Sequence, residues 1–247
     1  MSRILFVAQE AGGVGKSTAS RALAEAIPDA PIYEIESSKR LVELGDRVEH
    51  YPIRAERQDV LESGGEAALS EYDEVINSLL VGENRPTIVD VGANGATSVL
   101  TSFGRMAPAF ARRRRELGVL VIVAADESAY ASAEKLLVMT KPWAAAQYVL
   151  ANEHRGAVDR QRIEGFAAGA TVTYLQSFNI PKQVRPMVEP LGFALIGDID
   201  EEKLATKLLD RKGNPNHVMA ANVADILASF RLEAMRAVRP AAEWMIR

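Results

Sequence analysis

Short apolar runs alternate with longer stretches of helical periodicity along this chain. Continuous apolar runs are typical of strands covered on both faces, as in parallel sheets. Apolar positions spaced three and four residues apart are typical of helices that bury one face. The run GVLVIVAA at 118–125 is the most apolar and predicts a strand in the interior of a sheet. Strands are predicted at 3–8, 31–36, 86–91, 118–125, 148–151 and 193–196, and helices at 16–27, 66–81, 96–115, 129–139, 201–210 and 217–237.

This alternation of strands and helices predicts an α/β fold, a doubly wound, mostly parallel, twisted sheet flanked by helices. The chain has no internal repeat and no marked shift in composition, so we expect one domain over residues 1–247. The last predicted helix has an apolar stripe wide enough to pack on the core, and Pro240 is expected to interrupt the pattern that follows it.

Composition excludes several function classes. With 247 residues, 48% hydrophobic and 25% charged, the chain has the make-up of a soluble globular protein. It contains no cysteine, which rules out thiol chemistry and disulfides and fits a cytoplasmic location. No apolar stretch approaches the roughly 20 residues of a membrane span, and a net charge of −4 argues against a surface built for nucleic acid. The run Arg112–Arg115 is a local exception, either a solvated helix end or a phosphate-binding patch.

A glycine-rich segment between the first predicted strand and the first predicted helix carries the clearest chemistry. Glycines allow the backbone to curl so that successive N–H groups point at phosphate oxygens, and the helix N-terminus adds its positive dipole end. Lys16 supplies a charge for the β- and γ-phosphates, and the Ser17 hydroxyl can complete a magnesium shell. Glu10 stands where the general pattern GxxxxGK[ST] has glycine, so the loop is a variant. The predicted nucleotide-binding residues are Gly12, Gly13, Val14, Gly15, Lys16, Ser17 and Thr18.

Asp90 is the second chemical signal, because it lies near the end of the apolar strand predicted at 86–91 and is followed by Gly92. A carboxylate in such a place is costly unless it is paired or meets a cation. The sequence therefore predicts that Asp90 takes part in binding a metal ion.

The segment AGGVGKST at 11–18 resembles the deviant phosphate loop KGGVGKST of the ParA/MinD family of partitioning and positioning ATPases. The order of motifs supports this resemblance to about residue 152, and DVGAN at 90–94 is also similar to plasmid stabilisation and transfer proteins of the superfamily. The resemblance implies ATP and Mg²⁺ as cofactors and a homodimer that forms face to face around two nucleotides.

The resemblance also implies roles for individual residues. Glu36 would orient the attacking water and Glu34 would help to arrange magnesium, although the family usually has aspartate at both places. Asp90 would hold Mg²⁺ through a water, Gly92 would sense the γ-phosphate and Asn152 would contact adenine. Alternatively, the two glutamates are exposed strand-end acids and Asn152 is a turn residue. The catalytic residues are then predicted to be Lys16, Glu36 and Asp90, with Ser17 and Asp90 at the metal.

Ala11 departs most from the family pattern, because the signature lysine that reaches the partner's phosphates would stand at this position. The Arg112–Arg115 run, Lys39 or Arg40 could replace its charge. An arginine finger is commonly worth about 10³–10⁵-fold in phosphoryl transfer. We therefore expect slow hydrolysis unless such a replacement exists.

The resemblance favours a Mg²⁺-dependent ATPase that acts as a nucleotide-dependent switch in plasmid or chromosome partition, stabilisation or transfer. Its partners would be a second copy of the chain and DNA or a DNA-binding adaptor, and membrane binding is not expected. Two alternatives stay open, an ATP-dependent small-molecule ligase or synthetase of the same superfamily, which also lacks the lysine, and a nucleotide-binding scaffold without turnover.

Overall fold

The structure, a computed structural model, describes residues 1–53, 72–184, 193, 196 and 199–247. Within these residues, seven strands form one sheet, whose members are β1 (Ser2–Ala8), β2 (Ile32–Ile35), β3 (Val48–Tyr51), β4 (Thr87–Val91), β5 (Arg115–Ala124), β6 (Ala146–Asn152) and β7 (Thr171–Leu175). Their order is β3-β2-β4-β1-β5-β6-β7, and every neighbouring pair is parallel.

Helices connect these strands and follow them. The described helices are α1 (Lys16–Ala26), α2 (Asp73–Val81), α3 (Ala96–Arg112), α4 (Glu127–Thr140), α5 (Arg160–Phe166), α6 (Glu201–Lys207) and α7 (His217–Ile246). Two short 3₁₀ helices, Val42–Arg47 and Glu153–Arg155, lie in the connections after β2 and β6.

The central strand β1 shows why the sheet is covered on both faces. Successive side chains of a strand point to opposite faces. Leu5 and Val7 belong to one hydrophobic core, together with the inner sides of α1 and α7, whereas Ile4 and Phe6 belong to a second core with α2, α3 and α4. A strand between two cores must be apolar at every position. The predicted doubly wound α/β fold is therefore confirmed.

The carboxyl ends of the parallel strands meet at one edge of the sheet. The segments that follow β1, β2, β4 and β6 all begin at this edge. β1 lies between β4 and β5, so the chain runs to one side of β1 and later to the other, which makes this edge a topological switch point. Parallel α/β sheets bind their ligands at such a point.

Two predicted elements fall partly outside the described residues. The helix predicted at 66–81 is described from Asp73, and residues 66–71 are not among the described ones. Of the strand predicted at 193–196, only Phe193 and Ile196 are described. Both are buried, and both have 3₁₀ rather than strand conformation, so the described residues contradict the predicted strand.

Two strands, β3 and β7, were not predicted. Both are edge strands of the sheet. In each, only the last residue is buried, Tyr51 in β3 and Leu175 in β7, so neither strand has the continuous apolar run that marked the interior strands.

Helix α7 contradicts the expectation that Pro240 interrupts the helix, because the helix continues to Ile246. Proline removes one backbone hydrogen bond from a helix interior. The residues around it, Val238, Ala241 and Met245, are buried in the core next to the sheet, and this packing offsets the loss. In the part of the chain that the structure describes, no helix combines the length and the apolar character needed to cross a membrane.

The Arg112–Arg115 run lies at the amino end of β5, the opposite edge from the loop that follows β1. Arg113 donates a hydrogen bond of 3.1 Å to the Leu80 carbonyl, and Arg115 donates to the carbonyls of Gly82 and Glu83. These arginines satisfy backbone carbonyls at the end of α2 and just after it. The sequence suggests that this run could replace the charge missing at Ala11. Because the run lies at the opposite edge of the sheet from Ala11, it cannot do so within the same chain.

Gly118 in β5 provides a test of the packing between the sheet and α7. A Cβ added there would lie 2.6 Å from the Trp244 ring and 3.3 Å from a Leu5 methyl group. We expect Gly118→Ala to destabilise the protein by about 1–3 kcal/mol, because the core is overpacked. Gly165 in α5 has open space around it, so Gly165→Ala should stabilise by about 0.5–1 kcal/mol. Denaturant unfolding measures both, and shifts of equal sign would contradict this view of the packing.

Candidate functional site

The glycine-rich loop leads directly from β1 into α1 at the ligand-binding edge of the sheet. Gly13 has a φ of +66° and Gly15 a φ of +102°, a region that residues with a Cβ rarely adopt. Helix α1 begins at Lys16, so its first N–H groups open toward the loop. Positive φ at glycines followed by a helix N-terminus is a combination that phosphate-binding loops use.

Gln9 anchors the entrance to this loop and is completely buried. Its side-chain amide donates to the carbonyls of Ile122 and Ala129, at 2.6 and 3.0 Å, while its side-chain oxygen accepts from the N–H of Glu10 at 2.8 Å. All the main polar contacts of a buried amide are therefore satisfied. Sequence reasoning missed Gln9, because a single glutamine after a strand carries no signal of its own.

Glu10 explains why this position can depart from glycine. Its carboxylate accepts a hydrogen bond of 2.5 Å from the N–H of Thr97, in the first turn of α3. The N–H of Asn94 also donates to the Glu10 carbonyl at 3.1 Å. A carboxylate at a helix N-terminus is favourable both as a cap and with respect to the helix dipole. Glu10 therefore ties the phosphate loop to the segment that follows Asp90.

Lys16 is 8% exposed and its ammonium donates to the Ala11 carbonyl at 3.1 Å, so it spans the loop. Burial lowers the pKa of Lys16, while the carboxylates of Asp90, Glu36 and Glu10 act in the opposite direction. The lysine is thus held in a pocket with three acids around it. The three carboxylates partly balance the charge of the buried ammonium, and an anionic ligand could do so as well.

Asp90 lies at the end of β4, opposite Lys16, and its carboxylate accepts a hydrogen bond of 2.7 Å from the Ser20 hydroxyl. Burial raises the pKa of Asp90 from its ordinary value of 3.8 to about 6, and the hydrogen bond from Ser20 offsets part of this rise. A buried carboxylate with a raised pKa lacks sufficient positive charge nearby, so its donor set fits a cation. Among the described residues, no three acids or histidines form a metal cage, so a cation would need other ligands such as phosphate oxygens.

Glu34 is completely buried, and one carboxylate oxygen accepts from the N–H groups of Arg40 and Leu41, at 2.6 and 3.0 Å. Within the described part of the chain, its other oxygen is buried without a hydrogen-bond partner. Glu34 lies beside Asp90 in the register of the neighbouring strands β2 and β4. In this structure Glu34 therefore organises the connection after β2, and only its second oxygen is left for further contacts.

Glu36 and Gly92 lie against one another at the mouth of the site. A Cβ at Gly92 would come within 2.8 Å of the Glu36 carboxylate, so the close approach requires glycine. Glu36 accepts from the N–H and the hydroxyl of Ser37, at 3.0 and 3.1 Å. The N–H of Gly92 donates to the Ile35 carbonyl at 2.7 Å, so this donor is occupied in the present structure.

Asn152 closes the phosphate loop from the side of β6. Its amide donates to the Val14 carbonyl at 2.8 Å, and its oxygen accepts from the N–H of His154 at 3.1 Å. A Cβ at Gly15 would overlap with the same amide nitrogen. Asn152 thus holds the loop in this structure, and its contact with adenine stays a prediction.

A cavity of about 710 Å³ extends from the phosphate loop across the edge of the sheet. One end is polar and contains the loop together with Glu36 and Arg40, and the other end is mainly apolar. Small-molecule sites commonly have volumes of about 300–1,000 Å³. The apolar end is lined by Leu175, Phe178, Ile180, Phe193, Ile196 and Phe230.

No family model and no curated protein matches this chain. Among solved structures, the MinD cell division protein of Aquifex aeolicus aligns over 97% of this chain and 97% of its own, at 12% identity and a TM-score of 0.48. A plasmid partition protein of Borrelia burgdorferi aligns over 92% and 98%, at 10% identity and a TM-score of 0.45. A Cyanothece McdA variant in complex with ATP aligns over 94% and 96%, at 12% identity and a TM-score of 0.45.

The chain is therefore similar to MinD, to plasmid partition proteins and to McdA, and the phosphate loop resembles the same family. The fold of this chain rests on its own strand order and on the strand–loop–helix that holds the phosphate loop.

Proposed function

We propose that this chain binds ATP with Mg²⁺ in the cavity beside the phosphate loop and hydrolyses it slowly as a nucleotide-dependent switch. One observation carries the proposal: Lys16, at the start of α1, and Asp90, near the end of β4, lie beside a loop in which two glycines have positive φ. An enclosed lysine, an acid that lacks a cation and an open helix N-terminus are the complement of a magnesium–phosphate group.

The proposed roles follow the geometry. Lys16 binds the β- and γ-phosphates, and Ser17 and Asp90 hold Mg²⁺, which supplies a Lewis acid to the phosphates when bound. Glu36 orients the attacking water, because it lies at the mouth of the cavity and within range of Lys16. Gly92 would contact the γ-phosphate, and its N–H could take part only if the hydrogen bond to the Ile35 carbonyl were broken.

The apolar end of the cavity is the proposed site of the base. Phe178 and Phe193 each lie against Phe230, with ring centroids 5.6 and 6.0 Å apart. Such rings offer stacking surface to a planar base. Asn152 lines the same cavity, and its amide already donates to the Val14 carbonyl. We therefore assign the main contact with the base to the aromatic rings and a lesser one to Asn152.

The switch is proposed to act in plasmid or chromosome partition, stabilisation or transfer, through a nucleotide-promoted homodimer that engages DNA or a DNA-binding adaptor. The support is the resemblance of the loop to partitioning ATPases. A small-molecule ligase is the second candidate, because Ala11 carries no cation and Arg40 lines the cavity, where it could meet a carboxylate substrate.

Lys16→Ala tests the site. We expect ATP affinity to fall at least tenfold, roughly what the loss of charge-assisted hydrogen bonds gives. The fold should be retained, because the ammonium donates its hydrogen bond to the loop and is not part of either hydrophobic core. Calorimetry with Mg²⁺ measures the affinity, and circular dichroism checks the fold. Lys135→Ala, an exposed position on α4, is the matched control. Equal ATP affinity in Lys16→Ala and parent would remove the site assignment.

Asp90→Asn tests the metal role and the electrostatic strain together. The folded pKa of about 6 lies above the ordinary value of 3.8, so the folded state holds the proton more tightly and stability falls as pH rises between these values. Asparagine cannot ionise, so the variant avoids this loss. Without ligand, its free energy of unfolding should exceed that of the parent by about 1–3 kcal/mol above pH 6 and should equal it below pH 3.8. Its nucleotide binding should at the same time lose its dependence on Mg²⁺.

Thermal unfolding across pH and magnesium titrations measure the two effects, with Asp225→Asn at an exposed position of α7 as control. If unfolding and magnesium titrations of Asp90→Asn superimpose on those of the parent, Asp90 is neither strained nor a metal residue.

Ala11→Lys tests the dimer. A lysine there restores the cation of the family pattern, in a site where opposite charge near phosphate is worth more than in bulk water. We expect tighter nucleotide-promoted dimerisation or faster hydrolysis, measured by light scattering with a non-hydrolysable ATP analogue and by phosphate release. Ala111→Lys adds the same charge near the opposite edge of the sheet and should have no effect. A strict monomer in every case would favour the ligase or the scaffold.

A further inference from the structure

Arg155 lies against the outside of the phosphate loop, although nothing in the sequence motifs marks it. Its guanidinium packs on Gly13, where an added Cβ would overlap with Nη2 and lie 3.3 Å from Cζ. Gly13 is also one of the two loop glycines with positive φ. The positive φ is what favours glycine at residue 13, and the end of the flexible Arg155 side chain occupies the space beside it.

The local backbone presents this arginine to the loop. Arg155 ends the 3₁₀ helix Glu153–Arg155, which Asn152 caps by accepting from the N–H of His154. Gly156 follows with a φ of +135° and donates its N–H to the Glu153 carbonyl at 3.0 Å. Because Asn152 also bonds to Val14, the turn that carries Arg155 and the phosphate loop are fixed to one another.

Arg155 forms no ion pair in the described structure, although it lies near enough to Asp126 to contribute to the lowered pKa of that carboxyl. Its neighbours in sequence are paired: Arg160 meets Glu153 at 3.4 Å and Arg162 meets Glu127 at 2.6 Å. Among the described residues, no carboxylate lies within ion-pair distance of Arg155. A guanidinium ordered beside a loop without a partner loses side-chain entropy with no compensating bond, unless an anion completes the site.

The other candidate cations do not fill this place. Arg113 and Arg115 bond to carbonyls at the opposite edge of the sheet. Arg40 lines the cavity on the side of β2, so it approaches the loop from another direction. Arg155 approaches from the side of β6, against the loop glycine that lies two residues from Ala11.

We propose that Arg155 binds the phosphate chain of the nucleotide held by its own subunit and supplies the positive charge that residue 11 lacks. The inference rests on the proposed nucleotide-binding function. Guanidinium groups match phosphate oxygens in a bidentate manner, and the long, flexible side chain of Arg155 already lies against Gly13, which lines the cavity.

The test compares Arg155→Ala, Arg155→Lys and Arg112→Ala with the parent. Arg112→Ala removes one positive charge, as Arg155→Ala does, but Arg112 is exposed at the opposite edge of the sheet from the loop. It is therefore the matched control for net charge. We expect Arg155→Ala to weaken binding of ATP with Mg²⁺ about tenfold, Arg155→Lys to retain part of the affinity and Arg112→Ala to match the parent. Calorimetry at low and high salt measures this, and the difference between Arg155→Ala and parent should shrink at high salt.

Three outcomes would overturn the inference. Equal ATP affinity of Arg155→Ala and parent would show that the arginine does not bind phosphate. A loss of affinity that is independent of salt, with a lowered melting temperature of the ligand-free protein, would assign Arg155 a structural role. A loss that appears only at concentrations where dimers form would place the arginine on a partner's nucleotide. If the parent itself fails to bind ATP, the proposed function and this inference fail together.

Discussion

The binding edge of this protein depends on one constraint, that every buried backbone group of the phosphate loop must have a partner while the loop keeps its N–H groups free. Two side-chain amides meet this constraint, one at the start of the loop and one farther along it. Gln9 bonds to β5 and α4 and accepts from the start of the loop, and Asn152 binds the Val14 carbonyl from the end of β6. Both anchors belong to the β5–β6 side of β1, so the loop is held to that half of the sheet. An anion can then bind without first ordering the loop, which is what preorganisation means for affinity.

This order has an energetic consequence for the ligand-free protein. Lys16 is held in a pocket with Asp90 and Glu36 around it, and Glu34 leaves one oxygen without a partner in the described structure. Charges removed from water are costly unless they are fully paired. The site therefore stores unfavourable electrostatic energy that a cation and a polyanion together would relieve. The two large cores on either side of the sheet supply the stability that makes such a site tolerable.

The sequence predicts those parts of the molecule whose structure depends on residues close together in the chain. The interior strands have continuous apolar runs because both faces are covered, and the glycines and Lys16 form a motif because phosphate binding acts on adjacent residues. The edge strands β3 and β7 escaped prediction because each is partly buried. Pro240 was misjudged because packing of α7 outweighs one lost hydrogen bond. The contacts Glu10–Thr97 and Gly13–Arg155 join positions far apart in the chain, and no short pattern contains both partners. The magnesium, adenine and water-orienting roles stay predictions.

The hydrogen bond between Glu10 and the first turn of α3 has a consequence for how such sequences change over time. If residue 10 alone changed to glycine, the Thr97 N–H would lose its acceptor and α3 would lose an N-terminal charge that favours its dipole. A descendant could accept that change once the start of α3 had acquired a cap of its own. Residue 10 and the segment 94–97 are thus expected to vary together among relatives, so an alignment column at position 10 is interpretable only alongside the columns that begin α3.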